Sequence, residues 1–149
     1  MKIYVIALLV LTASISLTLG SSLPRTYDDW AKIRRTCYQL LRTSAEVRER
    51  VERRQYDDDA ETHCLVRCSG IIAGMYDDVT GTNMEAAATL AEATAKLAKG
   101  ENGFEKFRTA YEECAAGIKP EDYGDDYCKK SYGLTLCSWA AWRKHIRKL

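Results

Sequence analysis

Apolar residues recur every three or four positions along most of the chain, which is the spacing of one face of an α-helix. Trp30, Ile33, Cys37 and Leu40 follow this spacing, so we predict a first helix over about Tyr27–Arg42. Short runs of alternating or β-branched residues, the usual signs of strands, are nearly absent. The pattern therefore predicts an all-α fold of about six to seven helices.

Two matches to the capping-box pattern mark helix starts in the N-terminal part. Thr26 is followed three residues later by Asp29, and Thr43 is followed at the same interval by Glu46. In this pattern the threonine hydroxyl and the acidic side chain each accept a hydrogen bond from a backbone amide at the helix N-terminus. We therefore expect a short, highly charged second helix to begin at Thr43.

The aspartates Asp57–Asp59 suit the start of a third helix, since carboxylates stabilise the positive N-terminal end of a helix. We predict this helix over about Ala60–Tyr76, followed by a polar turn over Asp77–Asn83. Cys64 and Cys68 are four residues apart on it, so their sulfur atoms lie one turn apart on one face. Each is therefore expected to pair with a cysteine of a different helix.

An alanine-rich fourth helix is predicted next. Thr82 and Glu85 again match a capping box, and the helix should run from Met84 to about Lys99. Gly100 follows, at the position where a left-handed glycine commonly ends a helix.

The C-terminal third is predicted to hold a fifth helix and two further helical pieces. Aromatic and cysteine residues from Phe104 to Cys114 repeat at helical spacing, and Pro120 ends this helix because proline disfavours helical geometry in the preceding residue. The last stretch, about Asp125–Leu149, is expected to be broken or bent at Gly133.

The segment Met1–Gly20 is predicted to be a secretory signal, so we expect an extracellular protein. Lys2 precedes the apolar run Ile3–Leu11, and small residues surround the expected cleavage site after Gly20. A membrane anchor fits less well, because serines and threonines interrupt a run that should approach about 20 apolar residues. Residues 21–149 then form a single domain with no stable membrane insertion.

The charge balance argues against nucleic acid as the main partner. The chain has 22 basic and 21 acidic residues, and Lys2 belongs to the predicted signal, so the remaining net charge is near zero. Nucleic-acid binding favours a basic excess. The basic tail Arg143–Lys148 is interpreted as a solvated face rather than a membrane contact. The acidic runs Asp57–Asp59 and Asp125–Asp126 lack the spacing of a calcium loop and are interpreted as helix starts.

All six cysteines follow the predicted signal. An even count in a secreted chain indicates disulfides. A zinc site usually shows two close pairs of ligands, whereas here only Cys64 and Cys68 are close, with His63 adjacent. We therefore expect three disulfides, no metal and no cofactor. The cysteines are Cys37, Cys64, Cys68, Cys114, Cys128 and Cys137.

The spacing of the cysteines is specific. Three residues separate Cys64 from Cys68, as Cys64-Leu-Val-Arg-Cys68, and eight separate Cys128 from Cys137. These two intervals resemble the signature of the insect odorant-binding family, the pheromone and general odorant-binding proteins, which has three residues between the second and third cysteines and eight between the fifth and sixth. The resemblance extends over Ser21–Leu149, with a long interval between the third and fourth cysteines. Saposin-like domains and secreted phospholipases fit the spacing less well.

The resemblance implies the pairs Cys37–Cys68, Cys64–Cys128 and Cys114–Cys137. It also implies helices around an apolar internal cavity, in which a secreted carrier binds small hydrophobic ligands such as odorants, pheromones or fatty acids. Cross-links support such a hollow centre, because part of the stability no longer depends on close packing. A membrane receptor is a possible further partner, and a monomer or weak dimer is expected.

Candidate pocket residues come from the apolar helix faces. Helical spacing of aromatic residues is equally typical of a packed core, so both interpretations stay open. Phe107, Tyr111 and Trp139 are the strongest candidates, because the resemblance implies that the fifth helix and the C-terminal segment wall the cavity. Tyr111 and Tyr132 offer hydroxyl groups to a polar head group. The full set is Trp30, Ile33, Leu40, Met75, Leu90, Leu97, Phe104, Phe107, Tyr111, Tyr132, Trp139 and Trp142.

The two histidines suggest a pH response, since imidazole titrates near neutrality. Some members of the resembled family release ligand when acid loosens a C-terminal segment. His145, in the basic tail, is therefore weighed as a switch against a solvated helix end. His63 is expected to be a surface or capping residue.

Other functions are weighed against the carrier. Short D7-like salivary proteins of blood-feeding insects capture amines or lipid mediators, and an amine site needs acidic and aromatic residues facing inward. A secreted inhibitor or interaction protein on the same scaffold would be favoured by a filled interior. An enzyme is not expected, because the sequence has no nucleophile elbow, no Gly-rich phosphate loop and no metal-spaced histidines.

Overall fold

A computed structural model describes residues 26–93 and 103–146. Within these ranges the chain forms seven α-helices and one small antiparallel pair of strands, so the predicted all-α fold is confirmed. The helices are α1 (Tyr27–Leu40), α2 (Ala45–Glu52), α3 (Ala60–Ile72), α4 (Met84–Ala93), α5 (Gly103–Ala116), α6 (Pro120–Tyr123) and α7 (Tyr127–His145), and the strands between α3 and α4 are β1 (Tyr76–Asp77) and β2 (Gly81–Thr82).

Four sequence predictions lie outside the described residues. They are the signal over residues 1–20, the end of the fourth helix at Lys99 and Gly100, the pocket candidate Leu97, and the end of the last helical stretch at Leu149. In the part of the chain that is described, no helix is long and apolar enough to cross a membrane.

Side-chain caps begin the first two helices. The capping box of α1 is confirmed: the Asp29 amide donates to Thr26 Oγ1 at 3.1 Å, and the Thr26 amide donates to Asp29 Oδ2 at 3.0 Å. The predicted cap of α2 at Thr43 is wrong by one residue, because the Ser44 hydroxyl accepts the hydrogen bond from Val47. The Thr43 side chain is instead buried.

The third helix is shorter than predicted, ending at Ile72 rather than Tyr76. Gly74 has a positive φ, a left-handed conformation that ends the helix at little cost for glycine. The chain then turns back on itself, so Tyr76 pairs with Thr82 in the strands. Because Thr82 is held in β2, the cap of α4 is Asn83 rather than Thr82, and its Oδ1 accepts from the Ala86 amide at 3.0 Å.

The predicted break at Gly133 is wrong, since α7 is continuous from Tyr127 to His145. A Cβ atom at Gly133 would lie 3.2 Å from Ile118 Cδ1, which indicates that this glycine permits close packing rather than a bend. The short helix α6 was not predicted. Pro120 occupies its first turn, where the missing N–H costs nothing. The Lys119 amide donates to Asp122 Oδ2 at 2.8 Å.

The disulfides connect four helices in an open chain. Cys37–Cys68 joins α1 to α3, Cys64–Cys128 joins α3 to α7, and Cys114–Cys137 joins α5 to α7. This is the pairing that the family resemblance implies. Cys128 and Cys137 are nine residues apart, about two and a half helical turns, so they lie on opposite sides of α7. The helix α7, the longest of those described, is therefore held between α3 and α5.

Buried apolar residues form two separate clusters. The N-terminal cluster lies among α1, α2 and α3, and the C-terminal cluster lies among the strands, α4, α5 and α7. The N-terminal cluster comprises Cys37, Tyr38, Val47, Val51 and Leu65. The C-terminal cluster comprises Tyr76, Ala87, Phe107, Tyr111, Leu134, Cys137, Ala141 and Ile146.

We predict that the Cys64–Cys128 bond contributes most to stability. It closes a separation of 64 residues, against 23 for Cys114–Cys137. Restriction of the unfolded chain is worth about 4 kcal/mol for the longer loop and about 3 kcal/mol for the shorter one. Replacing Cys64 and Cys128 together by alanine should therefore lower the free energy of unfolding more than replacing Cys114 and Cys137. Urea titrations of the two variants check this order, and the reverse order would contradict it.

Asp59 provides a second prediction, because it caps α3 and pairs with Arg50. Its Oδ1 accepts from the Thr62 amide at 2.9 Å, and its Oδ2 lies 2.7 Å from Arg50 Nη2. Burial raises the pKa of Asp59, but the hydrogen bonds from Thr62 and the charge of Arg50 outweigh it, so the pKa lies below its ordinary value. Its contribution to stability is therefore present above the unfolded pKa and is lost as the pH falls through the folded pKa.

The expected result separates the cap from the charge. Asp59→Ala should lower the free energy of unfolding by about 1 kcal/mol at neutral pH. Asp59→Asn keeps a good capping group but has no carboxyl group to titrate. The free energy of unfolding of this variant should therefore fall less as the pH is lowered. Urea unfolding at neutral and acidic pH provides the measurement, with the exposed Asp125→Asn as control. An unchanged acid profile in Asp59→Asn would contradict the assignment.

Candidate binding cavity

The two buried clusters leave a cavity of about 480 Å³. Val51 and Leu65 of the N-terminal cluster line it, as do Tyr76, Ala87 and Phe107 of the C-terminal cluster. This volume lies within the range of small-molecule binding sites, roughly 300–1,000 Å³. A cavity of a size suited to small molecules therefore lies between the two clusters.

Helical periodicity explains how α1 and α4 reach the cavity. Thr26, Trp30 and Arg34 are spaced by four residues, which places them in one stripe along α1. Ala87 and Leu90 are three apart on one face of α4. Each helix thus presents a narrow face to the cavity.

The wall formed by α7 is rich in aromatic side chains. Thr135, Ser138, Trp139 and Trp142 follow one another at intervals of three, one and three residues and share one face of the helix. The Trp139 ring packs against Tyr56, with ring centroids 4.5 Å apart and planes inclined by 55°. The continuity of α7 through Gly133 keeps this face in register.

The α3 wall depends on a glycine. Leu65, Val66, Ser69 and Gly70 line the cavity along this helix. A Cβ atom at Gly70 would lie 3.0 Å from the Cβ of Tyr76, so only glycine allows β1 to pack this closely on α3. The pair of strands β1 and β2 therefore closes one side of the cavity.

Six of the predicted pocket residues line the cavity, and their role in binding stays a prediction. They are Trp30, Met75, Leu90, Phe107, Trp139 and Trp142.

Two predicted residues of α1 do not line the cavity. Leu40 is 68% exposed at the end of the helix, which contradicts its placement in an internal pocket. Ile33 is half-buried but is absent from the cavity wall. Both lie about 60–80° around the helix from Trp30, given a turn of 3.6 residues, and so project beside the lining stripe.

Three predicted aromatic residues pack elsewhere. Phe104 and Tyr111 belong to the packing of the C-terminal cluster. Tyr111 lies close to Thr82, and Tyr132 donates its hydroxyl to the backbone carbonyl of Tyr56 at 2.9 Å. Of the two hydroxyls expected to meet a polar ligand, that of Tyr132 is therefore bound to a protein group.

Arg34 lines the cavity and was missed by the sequence analysis. Its side chain is 12% exposed, and Nη2 lies 3.5 Å from Oε2 of Glu52, a carboxylate on α2. Burial lowers the pKa of Arg34, but the charge and hydrogen bonding of Glu52, together with the nearby Tyr56 and Tyr38, outweigh this effect. The pKa is therefore raised, and the guanidinium stays charged. The spacing of four residues from Trp30 is the signal that could have placed it on the lining stripe.

Tyr38 completes this polar group. Its hydroxyl donates to Glu52 Oε1 at 2.9 Å. Burial and then the hydrogen bond to Glu52 raise the pKa of Tyr38 to about 12. The carboxylate of Glu52 therefore has a neutral donor on one oxygen and a cation beside the other.

His63 was predicted to be a surface or capping residue, and the surface alternative is wrong. Its side chain is buried, Nε2 lies 2.7 Å from Asp58 Oδ1, and its ring centroid lies 4.3 Å from that of Tyr132. These contacts join the start of α3 to α7 behind the aromatic wall. His145 is the half-buried last residue of α7, and its role as a switch stays a prediction.

Comparisons with known proteins agree with this architecture. The PBP/GOBP family model matches residues 21–141. General odorant-binding protein 99b of Drosophila melanogaster is 35% identical over 57 residues, a match that covers 38% of this chain and 38% of that protein.

Solved structures show the same fold. Odorant-binding protein 22a of Anopheles gambiae has a TM-score of 0.54 at 22% identity, covering 76% of this chain and 99% of that one. A structure of that mosquito protein with the bound odorant cyclohexanone has the same TM-score and identity and covers 75% of this chain and 90% of that one.

The polar group beside the cavity generates a prediction about alkaline stability. Because the folded pKa of Tyr38 is about 12 and its ordinary value is 10, its contribution to stability is present below pH 10 and is lost as the pH rises through 12. Tyr38→Phe should therefore reduce the fall in the free energy of unfolding over this range. Urea titrations at several alkaline pH values check it, and an unchanged fall would contradict it.

Proposed function

Because the chain belongs to the PBP/GOBP family, we propose that it is a secreted carrier that binds small hydrophobic ligands in the cavity between its two buried clusters. The observation that carries the proposal is the cavity itself, about 480 Å³ in volume and lined mostly by apolar and aromatic side chains. A domain that served only as a surface for other proteins would have no need of this space.

Binding in such a cavity is driven by burial of apolar surface. Each Å² of ligand surface removed from water contributes roughly 25 cal/mol. Trp30, Phe107, Trp139 and Trp142 supply rigid aromatic surface, and Met75 supplies an adaptable thioether. The hydroxyls of Thr135 and Ser138 offer polar contacts on the α7 wall.

Secretion is supported by two features of the chain. The predicted signal over residues 1–20 directs export, and three disulfides persist only where the surroundings are oxidising. The proposal therefore places the carrier in an extracellular fluid, as a monomer or weak dimer that delivers ligand to a membrane receptor.

The alternative of an amine scavenger receives less support. A buried ammonium group needs a carboxylate partner, since an unpaired charge is costly away from water. Of the described residues that line the cavity, none is acidic, and Arg34 carries the same charge as an amine. The structure of the mosquito protein holds cyclohexanone, a small hydrophobic ligand without an amine group.

Catalysis is likewise not part of the proposal. The lining residues that the structure describes include no histidine, free thiol or carboxylate that could act as a base or nucleophile. The family and the structural neighbours are odorant-binding carriers.

The test is binding of a fluorescent apolar probe, N-phenyl-1-naphthylamine, to the oxidised protein purified after secretion of the full chain. We expect saturable binding that apolar alcohols and esters reverse. Ser138→Phe places a large side chain in the cavity and should lower probe affinity about tenfold or more, equivalent to about 1.4 kcal/mol. Ala140→Phe, on the exposed face of the same helix, is the matched control and should bind as the unmodified protein does.

The outcomes discriminate among the candidates. Absence of saturable binding to folded, fully bridged protein would refute the carrier proposal. Displacement of the probe by biogenic amines alone would favour the scavenger. Equal affinity in Ser138→Phe and Ala140→Phe would move the binding site away from this cavity.

A further inference from the structure

A single fully charged group contributes to the described cavity wall. All other described lining residues are apolar, tyrosine, serine, threonine or glycine, whereas Arg34 is a guanidinium that stays protonated. It lies one helical turn beyond Trp30 in the stripe that α1 presents to the cavity. The cavity therefore combines a large apolar region with one positive charge near the α1–α2 side.

One contact of this charge is an ion pair with Glu52. The distance between Arg34 Nη2 and Glu52 Oε2 is 3.5 Å. A strong charge-assisted bond is shorter, at roughly 2.7–2.9 Å. Glu52 is 46% exposed and also accepts from Tyr38, so much of its charge is directed to water and to that hydroxyl. Glu52 thus holds the guanidinium at the wall, and a guanidinium has enough N–H donors to contact more than one acceptor.

We propose that Arg34 binds the carboxylate of an amphipathic acid whose alkyl chain occupies the apolar part of the cavity. The preferred ligands are then monocarboxylic acids with a hydrocarbon chain, such as fatty acids. This inference rests on the proposed carrier function and specifies the ligand class.

Because the cavity is removed from water, the carboxylate of the ligand is favourable only beside Arg34. A carboxylate removed from water is strongly disfavoured unless a cation or several donors compensate it. Elsewhere in the described wall the polar groups are isolated hydroxyls such as Ser69, Thr135 and Ser138. A guanidinium matches both oxygens of a carboxylate, which fixes the head group at Arg34 and leaves the apolar part of the cavity to the alkyl chain.

The experiment compares three ligands of equal chain length: dodecanoic acid, 1-dodecanol and methyl dodecanoate. Each displaces the fluorescent probe from the oxidised protein at neutral pH, where the acid is ionised. We expect the acid to bind more tightly than the alcohol or the ester. Arg34→Gln should lower the affinity for the acid about tenfold, the loss of one charged hydrogen-bonded contact, and change the other two less than about twofold.

Three further variants separate recognition from a structural role. Arg34→Lys retains the charge without the planar fork and should keep part of the preference for the acid. Glu52→Gln removes the competing negative charge but keeps an oxygen that accepts from Arg34, so it should raise the affinity for the acid. A purely structural ion pair would instead weaken all ligands in both Arg34→Gln and Glu52→Gln. Arg35→Gln removes the same charge from an exposed position of α1 and is the matched control.

The results distinguish this inference from the carrier function. If alcohol, ester and acid all bind equally, or if Arg34→Gln weakens all three alike, the ligand class is wrong while the carrier function stands. If neither the probe nor any ligand binds to the folded protein, both proposals fail.

Discussion

Three disulfides hold four helices around the cavity between the two buried clusters. A close-packed interior gains dispersion contacts on every side of each atom, and a void forfeits them. The open chain of bonds through α1, α3, α7 and α5 stabilises the fold chiefly by restricting its unfolded state. The two buried clusters can therefore stay apart, and the cavity between them persists.

Much of the fold follows from local patterns. Helical spacing and the caps at Thr26 and Asp59 identify helices whose contacts are largely their own. The errors arise where a distant residue decides. Gly133 was predicted to break a helix, but its role is to allow the close packing of Ile118. Tyr76 was predicted to be helical, but it lies in β1 and packs on Gly70. The spacing of residues along the chain does not identify either of these contacts.

The cavity wall was less predictable than the helices. The spacing of apolar residues identifies the inner face of a helix. It does not distinguish a residue that lines a cavity from a residue that packs in a core. Phe107 lines the cavity while Phe104 and Tyr111 pack beside it, although all three share the period of α5. Arg34 escaped notice for the opposite reason, because a charge is ordinarily assigned to the solvent. Glu52 compensates the charge of Arg34 beside the cavity, and α2 brings this carboxylate close only in the folded chain.

Because α7 is a continuous helix, the number of residues between Cys128 and Cys137 determines the angle between their side chains about the helix axis. One added or deleted residue between Cys128 and Cys137 would rotate everything beyond it by about 100° about the helix axis. If Cys128 stayed bonded to α3, Cys137 would swing away from Cys114 and Trp142 would turn out of the cavity. Substitutions at positions such as Thr135 and Ser138 can therefore change the ligand preference without disturbing the disulfides. Insertions or deletions between the two cysteines cannot.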